Sequence, residues 1–220
     1  MIRVLPAPEP PTFDRKVRQP GLDAIAELVG EKPAMPRPGP RRRKIAEQRE
    51  AIPGAAFPPF WTAALKDLLG GYQRICAYTC LYIHPATGAA SADHIIPKSA
   101  AWDRVYEWTN YRLACSLMNS RKGVASVVLD PFDVEDHWFG LEFVGYQVIA
   151  REGLPAQILR HVDETIYRLR LNDEECRRAR EEYAECYLGP EGLSLSYLEK
   201  HAPFISRELR RQGRLHAGDS

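Results

Sequence analysis

Apolar residues in the last third of the chain recur at the spacing of an α-helix. Each apolar position follows the previous one after three or four residues, which predicts a helix with one buried face. The residues with this spacing are Ile158, Val162, Ile166 and Leu169. Asn172, with Glu175 three residues later, resembles a capping box and predicts a second helix that ends at Gly189. Two shorter helices are expected at about 194–201 and 204–213.

A short helix and a pair of strands are predicted in the middle of the chain. Two prolines can start a helix over residues 58–71 and two glycines can end it, while the apolar side chains between them fall on one face. The runs 138–143 and 146–151 are strand-like, and Gly145 between them is a turn residue. These runs predict a β-hairpin.

A second β-hairpin is predicted further upstream. The β-type run 78–83 is followed by a turn-forming stretch at 85–90, and the strand after the turn would carry Asp93 and His94 on opposite faces. A carboxylate next to an imidazole combines a ligand for a hard cation with a base that works near neutral pH. By itself the pair is weak evidence, because a strand histidine bonded to the backbone is an ordinary structural feature.

The beginning of the chain is rich in proline. Twelve of the 18 prolines lie in the first 60 residues. Proline removes a backbone donor and disfavours helix at the preceding residue, so residues 1–52 are expected to be mostly extended, with short helices near 21–29 and 41–50. The dense basic run at 41–44 fits either a solvated face or a contact to a phosphate backbone.

The composition is that of a globular protein. The chain has 220 residues, of which 45% are hydrophobic and 27% are charged, enough for one large core or two small ones. No apolar run is long enough for a membrane-spanning helix, and the first residues lack the apolar stretch of a signal peptide, so a cytoplasmic location and no membrane partner are expected. Five cysteines, an odd number, favour reduced thiols or remnants of a metal site over disulfides.

The charge is nearly balanced, with 30 basic and 29 acidic residues and a net charge of +1. Residues 1–70 hold 12 basic and 8 acidic residues, whereas residues 141–220 hold 12 and 14. A protein that binds nucleic acid through bulk electrostatics is usually strongly basic, so this balance argues against that class. It leaves room for a nucleic-acid enzyme with a local basic patch.

Polar residues further along the chain strengthen the Asp93-His94 signal. Asn110 and Asn119 are nine residues apart, and a basic pair follows the second of them. Asn119 would lie early in a short helix, where its side-chain oxygen could face a cation held by Asp93. Asn110 could tie a loop to the hairpin through hydrogen bonds to the backbone, as asparagine side chains often do.

At these residues the chain resembles the HNH nuclease family, which has a ββα-metal fold. The matching segments are SADHIIPKS and YEWTNYRLACSLMNSRKG, in the variant with Asp-His first, Asn in the middle and Asn last. The resemblance covers residues 73–125, about a quarter of the chain. It implies an α+β fold with three parts: a Pro-rich arm at 1–57, the nuclease core with its preceding helix at 58–135, and a β-hairpin followed by helices at 136–220.

The resemblance also implies a role for each polar residue. Asp93 and Asn119 would bind one divalent cation, Mg²⁺ or Mn²⁺, because oxygen ligands with few protein contacts suit such a cation. His94 would be the general base that activates a water molecule. Asn110 would hold the loop that orients His94.

Phosphodiester hydrolysis in DNA is the implied reaction, and RNA is not excluded as a substrate. Lys122 or Arg121 would contact a phosphate. The cation would offset charge on the phosphorus and on the leaving 3′ oxygen, and the products would carry 5′-phosphate and 3′-hydroxyl ends. A non-catalytic scaffold that keeps the fold and binds an ATPase partner or nucleic acid is the alternative. A thiol enzyme that uses Cys115 or Cys80 is disfavoured, because no His–Cys arrangement stands out.

The zinc site of many family members is only half present. Such members hold structural zinc with two Cys-x-x-Cys pairs. Here Thr79 replaces the second cysteine of the pair that begins at Cys76, and Met118 replaces the second cysteine of the pair that begins at Cys115. Tetrahedral zinc requires four ligands, so no structural zinc is expected, and packing of Cys76, Cys115 and Met118 would replace it. One unusual ligand set stays open: Cys76, Cys80, His84 and Cys115.

The flanks resemble one subgroup of the family. The Pro-rich start, the LDPFD segment at 129–133 and the tail segments TIYRLRLN and APFISRELRRQG are similar to HNH subunits that accompany an ATPase in prokaryotic anti-phage systems of the Septu type and in some retrons. This resemblance implies a partner ATPase that docks on the N-terminal arm or on the helical tail.

Overall fold

The structure is a computed structural model that describes residues 1–35, 38–190 and 192–219. Within these ranges the chain forms seven α-helices and four short strands. In chain order they are α1 (Gln19–Leu28), α2 (Leu65–Gly71), β1 (Ala90–His94), β2 (Tyr111–Cys115), α3 (Ser116–Lys122), β3 (Phe139–Leu141), β4 (Val148–Ala150), α4 (Ala156–Arg168), α5 (Glu174–Leu188), α6 (Leu195–His201) and α7 (Pro203–Arg211). The strands form two separate antiparallel pairs, so the α+β class is confirmed.

The first sheet pairs β1 with β2, and α3 follows β2 without a loop. Asp93 lies opposite Arg112 and His94 lies opposite Tyr111. The predicted pairing of β1 with residues 78–83 is therefore wrong. Those residues begin in a tight turn in which the Cys80 amide donates to the Cys76 carbonyl at 2.9 Å, and Cys80 has a φ of 56°. A left-handed residue interrupts an extended strand, so β1 pairs with the later segment instead.

The turn still docks against the sheet. The Ala77 amide donates to the Leu113 carbonyl of β2 at 2.8 Å, and a single bridge between Ile75 and Tyr82 closes the turn. The turn thus lies beside β2 and brings Tyr78 under the first sheet, where this side chain is almost completely buried.

The second sheet and the four C-terminal helices were predicted from the sequence and are confirmed. The start of α5 differs in detail from the prediction. Asp173, not Asn172, precedes the helix, and it makes no side-chain cap. Asn172 instead accepts a hydrogen bond from the Val148 amide at 2.8 Å and donates to the Val148 carbonyl at 2.9 Å. At the edge of β4 one carboxamide can bond to both the amide and the carbonyl of Val148. These two hydrogen bonds form in place of the single hydrogen bond of a helix cap.

The N-terminal arm contains α1, close to the predicted helix, but no helix over 41–50. Only a 3₁₀ turn at Arg49–Ala51 forms there. Two amides of this segment, those of Ile45 and Ala46, donate to the Leu28 carbonyl at the end of α1. These bonds satisfy an otherwise unpaired helix carbonyl, and they hold the segment in an irregular conformation.

Apolar side chains from all three parts of the chain form one continuous core. Phe13 of the arm contacts Trp108 and Tyr111 edge to face, with ring centroids 5.5 and 5.8 Å apart. The predicted helix at 58–71 is a 3₁₀ turn that continues into α2, and it buries Ala64 and Leu68. None of the described helices has both the length and the apolar character needed to cross a membrane.

Candidate functional site

A cavity of about 500 Å³ lies at the end of β1, between the first sheet and α3. It brings together three of the residues singled out in the sequence, which come from separate elements: Asp93, His94 and Asn119. Trp61 and Lys98 also line it. The cavity is therefore where the candidate chemistry concentrates.

The His94 ring is held through one of its two nitrogens. Its Nε2 atom lies 3.0 Å from the carbonyl oxygen of Val105. A carbonyl can only accept, so Nε2 carries the proton, and in the neutral ring Nδ1 then presents a lone pair. Nδ1 makes no hydrogen bond to any described residue. This atom is not completely buried, so solvent reaches it.

Burial keeps the His94 ring neutral. The pKa of His94 is lowered from 6.5 to about 4, mainly by desolvation; the hydrogen bond to Val105 opposes this shift, and the charges of Lys98 and Lys122 add to it. A neutral imidazole with a free Nδ1 can accept a proton at physiological pH.

Two aromatic rings fix the plane of the imidazole. The ring centroids of Trp61 and Tyr111 lie 4.9 and 5.0 Å from that of His94, both in edge-on contact. The Tyr111 hydroxyl donates to the same Val105 carbonyl at 2.8 Å. The Val105 carbonyl and the two aromatic rings therefore hold the imidazole in one orientation.

Asn110 secures the loop that carries the Val105 carbonyl. Its side-chain oxygen accepts from the Ile96 amide at 2.8 Å, and its Nδ2 donates to the carbonyls of Ile96 and Arg104 at 3.1 and 2.9 Å. Arg104 immediately precedes Val105, so the buried carboxamide joins the end of β1 to the loop that holds the imidazole. Asn110 therefore acts on His94 only through this loop.

Asp93 is buried beneath the cavity with two hydrogen-bond partners. Tyr78 donates its hydroxyl to Oδ2 at 2.5 Å, and Lys122 Nζ lies 3.2 Å from Oδ1. Burial raises the pKa of Asp93, and the charge of Lys122 and the Tyr78 hydroxyl oppose this rise. A carboxylate has about four lone-pair positions, so two bonds leave it able to accept a further ligand.

Asn119 and Asp93 together offer the oxygen ligands expected for a hard cation. The Asn119 side chain is half-buried, lines the cavity and makes no hydrogen bond to the described residues. Mg²⁺ is commonly bound through one or two protein oxygens and completes its shell with water and substrate phosphate. One carboxylate and one free carboxamide that line the same cavity fit this cation.

The side chains of the two basic residues after Asn119 are not placed to contact a phosphate. Lys122 is completely buried, and its ammonium also donates to the His94 carbonyl at 2.7 Å. Arg121 points to the C-terminal part, where it donates to the Leu169 carbonyl and pairs with Asp173 at 3.1 Å. Both cations therefore bond to other groups of this protein. Their contact with a phosphate stays a prediction, and it would require these bonds to break.

Lys98 is the cation at the cavity that the sequence interpretation missed. Its Nζ atom lies 4.2 Å from the centre of the Trp61 ring, and no described carboxylate pairs with it. Partial burial lowers the pKa of Lys98. Lys98 belongs to the quoted segment ADHIIPKS, so its place beside the Asp-His pair was the signal available in the sequence.

The two cysteines that stand at zinc-ligand positions of the expected family, Cys76 and Cys115, are in contact with each other. Cys76 Sγ and Cys115 Sγ lie 3.9 Å apart, and Met118 is buried nearby. His84 Nδ1 instead accepts hydrogen bonds from two amides of its own turn. In the described ranges no three or more His, Cys, Asp or Glu side chains are grouped so that they could hold a metal ion, so the unusual ligand set with Cys80 does not assemble.

No protein-family model matches the chain, and no curated protein matches it significantly.

Proposed function

We propose that this protein is a metal-dependent endonuclease of the HNH type that hydrolyses phosphodiester bonds in DNA. One observation carries the proposal: a neutral His94, held at Nε2 by Val105 and free at Nδ1, shares a cavity with Asp93 and Asn119. The order β1, β2, α3 around this cavity supports a ββα-metal core.

Asp93 and Asn119 are the residues that would hold the cation, Mg²⁺ or Mn²⁺. When bound, the cation supplies charge neutralisation at the phosphate and at the leaving oxygen. Lys122 and Tyr78 hold the Asp93 carboxylate in one orientation, which preorganises this ligand.

His94 is the proposed general base. Its free Nδ1 takes a proton from a water molecule as the water oxygen bonds to phosphorus and the bond from phosphorus to the 3′ oxygen breaks. The Val105 carbonyl accepts from Nε2–H throughout, so it stabilises the imidazolium that forms. Asn110 is a positioning residue, because it holds the loop that carries this carbonyl.

Removal of the metal tests the proposal directly. Supercoiled plasmid should be cut in Mg²⁺ or Mn²⁺ and left intact in EDTA. Asn119→Ala should need a severalfold higher Mg²⁺ concentration for half-maximal cutting, whereas Asn119→Asp should need less, because a carboxylate replaces a carboxamide. The exposed neighbour Ser120→Ala is the control and should match the parent.

Cutting that continues unchanged in EDTA would contradict a metal-dependent nuclease. A parallel assay on RNA distinguishes the two substrates, and preferential cutting of RNA would replace DNA in the proposal. Isothermal titration with Mg²⁺ is a separate readout of the site, since binding should weaken in Asn119→Ala whether or not the plasmid is cut.

Lys98 is the proposed phosphate contact at the cavity. Lys98→Ala should lower kcat/KM by about 10- to 100-fold, because hydrogen bonds to charged groups contribute about 1.5–3 kcal/mol. The slope of log kcat/KM against log salt should also become shallower by about 0.9, the effect of one lost phosphate contact. Lys98→Arg should keep the parent slope, and the exposed Lys200→Ala should change neither quantity. An unchanged salt slope in Lys98→Ala would exclude a phosphate contact.

A defence role with an ATPase partner is part of the proposal. The net charge of +1 predicts weak binding to DNA by this chain alone, steeply reduced by salt. A partner that delivers the substrate would compensate for this weakness.

A non-catalytic scaffold is the second candidate. The ion pair between Asp93 and Lys122 favours it, because an internal cation already balances the carboxylate without a metal. A protein that binds Mg²⁺ and DNA but never cuts, even with an ATPase partner present, would support the scaffold over the nuclease.

A further inference from the structure

Two cysteines outside the proposed catalytic cavity lie in contact. Cys76 Sγ is 3.9 Å from Cys115 Sγ, and neither thiol forms a disulfide. Cys76 lies in the turn beside β2, and Cys115 is the last residue of β2. The two side chains already point towards each other, as a disulfide requires.

The two thiols are electronically different. Burial raises the pKa of Cys76, but hydrogen bonds with the Cys115 thiol and with Thr79 outweigh this effect and bring the pKa to about 6. The Cys115 amide also lies 3.4 Å from Cys76 Sγ. The contact with Cys76, together with burial, raises the pKa of Cys115. Cys76 is therefore the thiol of the pair with the lowered pKa, and Cys115 is the one with the raised pKa.

The pair borders a cavity, although Cys76 itself is buried and Cys115 is half-buried. A second cavity of about 280 Å³ is lined by both cysteines, and it is separate from the cavity that contains His94. Cys176 also lines the second cavity, but burial raises the pKa of its thiol, as it does for Cys80. Low-pKa thiolates with access to solvent are the cysteines that oxidants attack.

We propose that Cys76 and Cys115 form an oxidisable dithiol, a modification site that hydrogen peroxide converts to an intramolecular disulfide. The Cys76 thiolate attacks one peroxide oxygen, the O–O bond breaks, and the departing hydroxide takes a proton to become water. Cys115 sulfur then attacks the sulfur of the resulting sulfenic acid. The S–S bond forms, the S–O bond breaks, and hydroxide leaves with the Cys115 proton as a second water. Two thiols are oxidised and one peroxide is reduced.

The disulfide would join two segments that support the proposed catalytic cavity. Tyr78, two residues after Cys76, donates to Asp93, and α3 with Asn119 begins directly after Cys115. The crosslink closes a loop over residues 76–115, which restricts the unfolded chain. The oxidised protein should therefore melt about 10 °C higher than the reduced protein.

The experiment uses the full chain with the exposed thiol removed by Cys186→Ser, which prevents crosslinks between molecules. The protein is reduced, freed of reductant, treated with hydrogen peroxide and blocked with N-ethylmaleimide. Intact mass should fall by about 2 Da before blocking, and peptide mapping should find Cys76 linked to Cys115. The melting temperature should rise and should return to its starting value with dithiothreitol.

Cys115→Ser is the matched control, because it should leave Cys76 as a sulfenic acid that dimedone traps, without a rise in melting temperature. Absence of the Cys76–Cys115 peptide, or a crosslink of Cys115 to Cys176 in its place, would overturn the proposal. The parent protein alone decides this outcome by peptide mapping, so the result does not depend on the folding of a variant. It is also independent of whether the protein cuts DNA.

Discussion

Replacement of His94 by alanine is expected to slow Mg²⁺-dependent cutting of DNA by about 10²- to 10⁴-fold, the contribution of a general base. The imidazole is the neutral group at the cavity whose free nitrogen can take the proton of a water molecule, because Val105 occupies the other nitrogen. The measurement is the single-turnover rate of plasmid nicking at saturating Mg²⁺.

His137→Ala is the matched control, since this histidine is exposed on the surface and should leave the rate unchanged. The melting temperature of His94→Ala has to be measured alongside, because loss of a buried ring also leaves a cavity between Trp61 and Tyr111. A folded His94→Ala protein that cuts as fast as the parent would remove His94 from the mechanism.

Lys122→Met is expected to lower the free energy of unfolding by about 3–5 kcal/mol, the typical cost of breaking a buried ion pair. Lys122 is completely buried and Asp93 is 2% exposed, so the variant would leave a carboxylate in the core without its cation. Denaturant unfolding of the metal-free protein near pH 7 measures the change.

Lys66→Met provides the control, because Lys66 is exposed on α2 and the substitution should stay within about 0.5 kcal/mol of the parent. The double variant Lys122→Met, Asp93→Asn should recover part of the loss, since it removes the unpaired charge as well. A Lys122→Met protein as stable as the parent would mean that this pair does not form, and Lys122 would then be free to contact a phosphate.

The sequence alone determined most helices and one of the two sheets. The four C-terminal helices follow from apolar spacing and from glycine and proline at their ends, which are local signals. The same holds for β3 and β4, which are separated by a short turn. The backbone bonds within each helix, and those between β3 and β4 across one short turn, are local, so the order of the side chains is sufficient to predict these elements.

Errors arose where a backbone group bonded outside its own segment. The partner of β1 is β2, a strand that begins 17 residues after β1 ends, because Cys80 has a left-handed backbone that excludes a strand at 78–83. Asn172 bonds to the edge of β4 in place of capping α5. The segment after Pro40 bonds to the end of α1 and does not form its own helix.

The candidate site divides in the same way. The motif in the sequence identified Asp93, His94 and Asn119, which the fold brings to one cavity. Only the tertiary structure decided which nitrogen of His94 is free, since the other one is held by the Val105 carbonyl in the loop between β1 and β2. The fold also buried Lys122 and left Lys98 at the cavity. Residue types and their spacing specify which chemical groups are available. Burial depends on which parts of the whole chain cover a side chain, and burial decides which partner each charged group has.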